Sequence, residues 1–162
     1  MALRKLTSIE VTGENSMSHW WKVKNPVKTM VNFVLIYSAR FAPSLALKRF
    51  FCRLAGAKIG NGVSFGLGAV LDIFYPELIE IGDNSIIGYN STILAHEFLI
   101  KKLKTGNVKI GKGVMVGANC TILAGIEIGD GASIAACSLV NSDVPAGAFA
   151  GGVPAKIIKR NH

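Results

Sequence analysis

The chain has 162 residues, of which half are hydrophobic, 17% are charged and 18 are glycine. This length allows one domain with a real core and is too short for two domains of ordinary size. The hydrophobic content and low charge exclude a disordered chain, and the glycine content favours repetitive β structure. The three cysteines, at irregular spacing, favour reduced thiols in a cytosolic protein over a disulfide framework, and no metal-ligand spacing is present: Cys52, Cys120 and Cys137.

The first 56 residues carry most of the excess positive charge. They hold nine Lys and Arg side chains against two acids, Glu10 and Glu14, which gives +7 of the net +8. They lack the early apolar run of a secretory signal, and the apolar stretch 31–39 is far shorter than the roughly 20 residues that span a membrane. We expect a basic, partly helical extension over 1–56. Its apolar helix packs against another subunit, the favoured alternative, or lies on an anionic membrane surface. A nucleic-acid partner is not expected, because no such motif accompanies the charge.

From residue 59 onward the sequence repeats every six residues. The first position of each repeat is apolar: Ile59, Phe65, Leu71, Ile81, Ile87, Ile93, Ile110, Val116, Ile122, Ile128, Ile134 and Val140. The fourth position is Gly, Asn or Asp in nine repeats: Gly62, Gly68, Asn84, Asn90, Gly113, Asn119, Gly125, Gly131 and Asp143. The fifth position is usually small or β-branched.

Each position of the repeat has a physical interpretation. The fifth residue and the next first residue are two apart, so on a strand both point into a core. The fourth residue belongs to the types that accept a positive φ at low cost, as a tight corner requires. Three repeats per turn predict 18-residue coils stacked about 4.8 Å apart, and twelve repeats predict four coils.

This pattern, with the C-terminal stretch "IGDGASIAACSLVNSDVPAGAFAGGVPAKIIKR", resembles the hexapeptide-repeat acyltransferases over about residues 57–160. It is most similar to the maltose, galactoside and xenobiotic acetyltransferase branch, and "KRFFCRLAGAKIGNGV" is similar to the corresponding segment of polysaccharide O-acetyltransferases. The resemblance implies an all-β, left-handed parallel β-helix, an exception to the right-handed crossover rule. We expect an N-terminal extension over 1–56, the β-helix over 57–150 with a protruding loop at 97–109, and a C-terminal tail over 151–162.

Two segments interrupt the repeat, 77–80 and 99–109, and His96 lies just before the longer one. His96 is an exception at the fourth position, as are Phe74 and Cys137. One interpretation is that His96 only forms a corner with positive φ. The other is a general base that takes a proton from an acceptor hydroxyl or amine. The resemblance favours the base, since "ILAHEF" is similar to the segment that carries the catalytic histidine in these enzymes.

The same resemblance implies where acetyl-CoA binds: in a groove between adjacent subunits, which implies a homotrimer. The residues that match the family's cofactor contacts are Met115, Ala118, Ala136, Gly152, Lys156 and Lys159. A solvated tail is the alternative for the two lysines. Asn141 and Ser142 replace the usual Thr-Lys pair, and Gly66 replaces an Asn of the sugar-specific enzymes.

Three residues on the same predicted face as His96 are candidates for acceptor binding: Asp72, Tyr75 and Glu97. Asp72 orients His96, holds a substrate hydroxyl, or simply forms a turn. We expect an acetyl-CoA-dependent O-acetyltransferase that acts on a sugar or other small hydroxyl compound by direct transfer, without a metal. A cytoplasmic location follows, with peripheral contact at the inner membrane as an alternative.

Two other functions are compatible with a β-helix. A γ-type carbonic anhydrase gathers three metal-binding histidines at a subunit interface, whereas this chain has His19, His96 and His162, two of them outside the repeat. A non-catalytic assembly module explains the fold but gives no reason for a histidine beside a long interruption.

Overall fold

The computed structural model describes residues 4–13 and 15–160. The N-terminal part contains the strand β1 (Thr7–Glu10), a 3₁₀ helix (Met17–Lys22), α1 (Pro26–Phe41) and α2 (Leu45–Leu54). Both α-helices begin at a side-chain cap: Asn25 accepts from the Lys28 amide, and Ser44 accepts from the Leu47 amide. No helix within the described ranges is long and apolar enough to cross a membrane.

Short strands follow, with one further 3₁₀ helix (Pro76–Leu78) before the fourth of them. In chain order they are β2 (Lys58–Ile59), β3 (Ser64–Phe65), β4 (Val70–Leu71), β5 (Ile79–Ile81), β6 (Ile86–Ile87), β7 (Thr92–Ile93), β8 (His96–Leu99), β9 (Lys102–Thr105), β10 (Val108–Ile110), β11 (Met115–Val116), β12 (Thr121–Ile122), β13 (Glu127–Ile128), β14 (Ser133–Ile134), β15 (Leu139–Val140), β16 (Ala148–Gly152) and β17 (Ala155–Arg160).

Apart from β1, β8 and β9, the strands form three sheets that the chain visits in turn. The first sheet contains β2, β5, β10 and β13, the second contains β3, β6, β11, β14, β16 and β17, and the third contains β4, β7, β12 and β15. Within these three sheets pairing is parallel, except between β16 and β17. Ile110, for example, pairs with Ile81 on one side and Ile128 on the other. The chain therefore coils as a prism in which each strand bonds to its equivalents one turn away.

The six-residue periodicity predicts the core correctly. All twelve first positions are buried, and the small fifth positions are buried with them. Three of those fifth positions are serines, Ser85, Ser91 and Ser138, and each hydroxyl both donates and accepts a hydrogen bond inside the prism. Ser85 donates to the Gly111 carbonyl at 2.8 Å and accepts from the Val114 amide at 3.0 Å, so its burial leaves no unpaired polar group.

The corners also follow the repeat, with informative exceptions. Eight of the nine Gly, Asn and Asp positions have positive φ, and Cys137, an exception in sequence, adopts φ +59° as well. Asp143 is not among the positive-φ residues, and its carboxylate instead accepts from the Glu127 amide at 2.8 Å. His96 is not among them either, because it begins strand β8. The interpretation of His96 as a positive-φ corner is therefore wrong.

The longer interruption is a β-hairpin, not the predicted loop. β8 and β9 pair antiparallel, and β1 from the N-terminal extension pairs with the other edge of β9. Leu103 of β9 is fully buried in this three-stranded sheet. Val108 and Lys109, assigned to the loop from sequence, belong with Ile110 to β10 in the first sheet. The prediction failed here because pairing between residues 7–10 and 102–105 has no local sequence signal.

Basic side chains of α2 cover the open end of the prism, where the first coil has no preceding coil to bond. Lys48 Nζ donates to the carbonyls of Ala39, Arg40 and Gly66. Arg49 donates to the carbonyl of Val63, and Arg53 donates to those of Ile59 and Gly60. Much of the positive charge of the extension thus satisfies an exposed strand edge.

Candidate active site

Asp72 and His96 meet where two adjacent coils leave the third sheet. Asp72 follows β4 and His96 follows β7, and these strands pair through Leu71 and Ile93. His96 Nδ1 lies 2.5 Å from Asp72 Oδ2. The stacking of coils thus brings together two residues that are 24 positions apart in sequence.

The Asp72 carboxylate is completely buried and has five hydrogen-bond donors. Oδ1 accepts from the amides of Phe74 at 2.8 Å and Tyr75 at 3.1 Å. Oδ2 accepts from the amides of Ala95 at 2.8 Å and His96 at 3.1 Å, in addition to the imidazole. Burial alone would raise the pKa of Asp72, but these bonds and the charge of His96 outweigh it and hold the pKa below its ordinary value. Asp72 is therefore an ionised group that fixes the ring of His96.

The His96 ring is enclosed by aromatic side chains. Its centroid lies 4.9 Å from Phe74, 5.0 Å from Phe98 and 5.9 Å from Tyr75. Trp20, from the N-terminal 3₁₀ helix, packs edge-on against Phe74 at 5.6 Å. The His96 side chain keeps only 14% of its surface exposed. The ring therefore lies in a narrow aromatic pocket.

Charged pairs from the N-terminal extension flank this pocket. Arg4 forms a salt bridge with Glu97, the residue after His96. Lys24 forms a salt bridge with Glu77 and lies over the Tyr75 ring, 4.0 Å from its centroid. Burial, together with the negative charges of Glu77 and Asp72, raises the pKa of Tyr75, so its hydroxyl stays protonated at neutral pH.

These contacts distinguish the three residues that sequence suggested for acceptor binding. Asp72 has no exposed surface, so it orients His96 and does not reach an acceptor. Glu97 is held by Arg4, with 20% of its side chain exposed. Tyr75 is partly buried beside His96 and is the best placed of the three to meet an acceptor.

The six residues matched to cofactor contacts lie elsewhere on the prism. Met115 is exposed on β11 of the second sheet, and Ala118 and Ala136 follow β11 and β14 one coil apart, where the Cys137 amide donates to the Ala118 carbonyl at 2.8 Å. Gly152 ends β16, and Lys156 and Lys159 are exposed on β17, which pairs with it. All six therefore belong to the second sheet and the corners after it, whereas His96 follows the third sheet. Within one chain, the six cofactor-matched residues and His96 therefore lie at different corners of the prism.

Several residues of the pocket were not found from sequence: Arg4, Trp20, Lys24 and Phe98. The first three reach it from the N-terminal extension, 51 to 93 residues before their partners, and no periodicity links them to the repeat. Phe98 lies inside the interruption, where the repeat gives no positional information. Phe74 stood out in the sequence as a bulky residue at the fourth position of the repeat, but this exception did not indicate a functional site.

The chain matches the family model "Bacterial transferase hexapeptide (six repeats)" over residues 107–142. The chain is 46% identical over 157 residues to "Putative acetyltransferase YvoF" of Bacillus subtilis (strain 168), and the match covers 96% of this chain and 91% of YvoF. The protein therefore belongs to the hexapeptide-repeat acetyltransferases, and it is an acetyltransferase.

Solved structures share the fold. The hexapeptide-repeat acetyltransferase VCA0836 of Vibrio cholerae O1 biovar eltor, complexed with acetyl-CoA, has a TM-score of 0.69 at 20% identity, with 83% of this chain and 87% of that chain covered. A galactoside acetyltransferase in complex with coenzyme A has a TM-score of 0.67 at 21% identity, with 83% and 81% covered.

Proposed function

We propose that this acetyltransferase moves the acetyl group of acetyl-CoA to a hydroxyl of a sugar or similar small compound, with His96 as general base. The observation that carries the proposal is the Asp72–His96 pair. The buried carboxylate accepts from Nδ1, so Nδ1 carries the ring proton and the lone pair of Nε2 is available. Among the described residues Nε2 has no hydrogen-bond partner.

The chemistry follows from this tautomer. Nε2 takes the proton of the acceptor hydroxyl while that oxygen attacks the thioester carbonyl carbon. The carbon–sulfur bond then breaks, and the imidazolium returns its proton to the leaving thiolate. The ionised Asp72 stabilises the imidazolium between these two events. Transfer is direct, and no side chain is acylated.

The acceptor side of the pocket is polar at its rim. The protonated Tyr75 hydroxyl is a hydrogen-bond donor near His96, and the Lys24 ammonium is held over the Tyr75 ring. Donors of this kind suit the hydroxyl oxygens of a sugar-like acceptor. Galactoside and maltose acetyltransferases are among the proteins that share the fold.

The acetyl-CoA site is proposed between two subunits of a homotrimer, on a left-handed β-helix of about four coils that spans residues 57–150. Separation of His96 and the cofactor-matched residues onto different corners of one chain supports this arrangement, since a neighbouring subunit brings such corners together. Met115, Ala118, Ala136 and Gly152 would line the pantetheine arm, and Lys156 and Lys159 would contact phosphates.

The proposal is tested with His96→Asn, whose amide keeps a donor near the position of Nδ1 but offers no base at Nε2. Wild-type protein is first screened for CoA release from acetyl-CoA with a panel of sugars, amino sugars and other hydroxyl compounds. With the acceptor so found, we expect kcat to fall by roughly 10²–10⁴-fold in His96→Asn, with acetyl-CoA affinity unchanged.

His19→Asn is the matched control, because His19 is half-buried in the N-terminal 3₁₀ helix and, within the described residues, its ring makes its hydrogen bond with the Asn15 carbonyl. It is expected to retain wild-type turnover. Wild-type kcat in a folded His96→Asn variant would show that His96 is not the base.

A further inference from the structure

The outer surface of α1 is mostly apolar, while its buried side mixes polar and apolar residues. The buried residues of this helix are Thr29, Asn32, Ile36 and Ala39. The exposed apolar residues are Val27, Met30, Val31, Phe33, Val34, Tyr37 and Phe41. A surface helix ordinarily keeps its apolar residues on the side that faces the core and presents polar residues outward. Something outside the chain is therefore expected to cover this side of α1.

The elements next to α1 in the chain also carry exposed apolar residues. α2 adds Leu47, Phe50 and Leu54, and the 3₁₀ helix before α1 adds Met17 and Trp21. Val27 is 73% exposed, and Phe41 and Leu54 are each 60% exposed. We call this surface, the exposed apolar residues of the 3₁₀ helix, α1 and α2, the helical apolar face. Contiguous apolar surface of this kind marks an interaction site.

The charge around the helical apolar face is mostly positive. The sequence contains no Asp or Glu between Glu14 and Asp72, whereas Lys22, Lys28 and Arg53 are exposed there. Glu77 approaches this region from the prism, where it pairs with Lys24 and lies 3.7 Å from Lys28. The surface combines large apolar side chains with a net positive charge.

We propose that the helical apolar face binds the surface of an anionic lipid bilayer. Two copies of the face would bring Lys22, Lys28 and Arg53 towards the same residues of the other copy, and Glu77, the acidic side chain described in this region, is already paired with Lys24, which disfavours self-association through it. Anionic headgroups supply the missing negative charge, and the acyl boundary accepts the apolar residues.

α1 has 16 residues, about 24 Å at 1.5 Å per residue, too short for a hydrocarbon core of about 30 Å. It would therefore lie in the interface.

The test is vesicle flotation of the full chain, with phosphatidylcholine vesicles and with vesicles containing 30 mol% phosphatidylglycerol, so roughly a third of the lipid is anionic. Wild-type protein should float with the anionic vesicles, bind neutral ones weakly and dissociate as salt is raised. Val34→Glu should weaken anionic-vesicle binding by about tenfold or more, because it places a charge in the centre of the apolar face. Ile158→Glu is the matched control, since Ile158 is 62% exposed on β17, at the opposite edge of the second sheet from β3.

The oligomeric mass of each variant is measured by light scattering in parallel. A Val34→Glu variant that loses vesicle binding but keeps the wild-type mass supports the proposal. If wild-type protein does not bind anionic vesicles, the proposal fails. If Val34→Glu changes the oligomeric mass but not vesicle binding, the helical apolar face contacts protein and the proposal also fails. Equal binding to neutral and anionic vesicles would also contradict it.

Discussion

Asp72 is the residue on which the geometry of the pocket depends. Its two oxygens accept from four backbone amides and from His96, so one buried carboxylate organises the turn after β4, the start of β8 and the imidazole. A carboxylate is needed here because every partner is a donor. An amide in the same place would offer one acceptor oxygen and present an NH₂ group to the remaining donors.

Asp72→Asn is therefore expected to lower the free energy of unfolding by about 1–3 kcal/mol, the cost of leaving buried donors without an acceptor. It should also reduce turnover, since nothing then holds Nδ1 as the protonated nitrogen. Denaturant titration of both proteins near neutral pH measures the stability difference. Equal stability would show that the five hydrogen bonds contribute nothing net.

The difference should also depend on pH in a defined direction. The pKa of Asp72 in the fold lies below its ordinary value of about 3.9. As the pH falls, the unfolded chain is protonated first, so the stabilisation is complete above about pH 4 and is lost below it. The gap between wild type and Asp72→Asn should shrink on acidification, and a gap that widens would contradict the assigned pKa shift.

At the scale of elements, the glycines at the second position of the repeat set how closely coils approach. A Cβ on Gly117 would lie 2.5 Å from the backbone nitrogen of Ala136 in the next coil, and that backbone cannot move aside. Gly113 is different, because a Cβ there meets nothing within 4 Å and φ is +61°. Gly117 is needed because a side chain would not fit between the coils, whereas Gly113 is needed because its backbone has a positive φ.

Gly117→Ala should therefore destabilise the protein by about 1–3 kcal/mol through overpacking. Gly113→Asn is the matched control and should stay within about 0.5 kcal/mol, since Asn84 and Asn119 adopt the same positive φ at equivalent corners. Thermal unfolding of the two variants compares them directly. If Gly113→Asn proves the more damaging, the distinction between space and conformation is wrong.

The periodic elements were predictable from sequence and the hairpin was not. Each repeat contains its own information, because the residues that face the core and form the corners lie within six positions of one another. His96 was found for the same reason: it departs from a strict local pattern. The hairpin depends on β1, and the pocket depends on Arg4, Trp20 and Lys24, contacts made across more than 50 residues that leave no trace in the local sequence.

At the scale of the whole molecule, the proposed site between subunits would make assembly a condition of activity, because His96 and the cofactor-matched residues lie at different corners of one chain. Met115, Ala118 and Ala136 belong to the second sheet or the corner after it, and His96 to the corner after the third. A chain on its own would hold half of each proposed site.

We therefore expect light scattering at micromolar concentration to give a particle of three chains of 17.2 kDa each. Size-exclusion chromatography during dilution is the accompanying measurement, and acetyl-CoA affinity should fall as the particle dissociates. A stable monomer that binds acetyl-CoA with full affinity would contradict both the trimer and the shared site.

The pairing of β1 with β9 also affects the order in which the parts of the protein fold during synthesis. Thr7–Glu10 leave the ribosome long before Lys102–Thr105, so β1 has no partner while the early coils are wound. Each coil stacks on the one before it as it is synthesised. The pocket around His96 is complete only when the N-terminal strand β1 pairs with β9. Arg4 and Glu97 then join 93 positions apart. The completed pocket is thus a late event in biosynthesis, reached only by chains whose first two coils are already correctly wound.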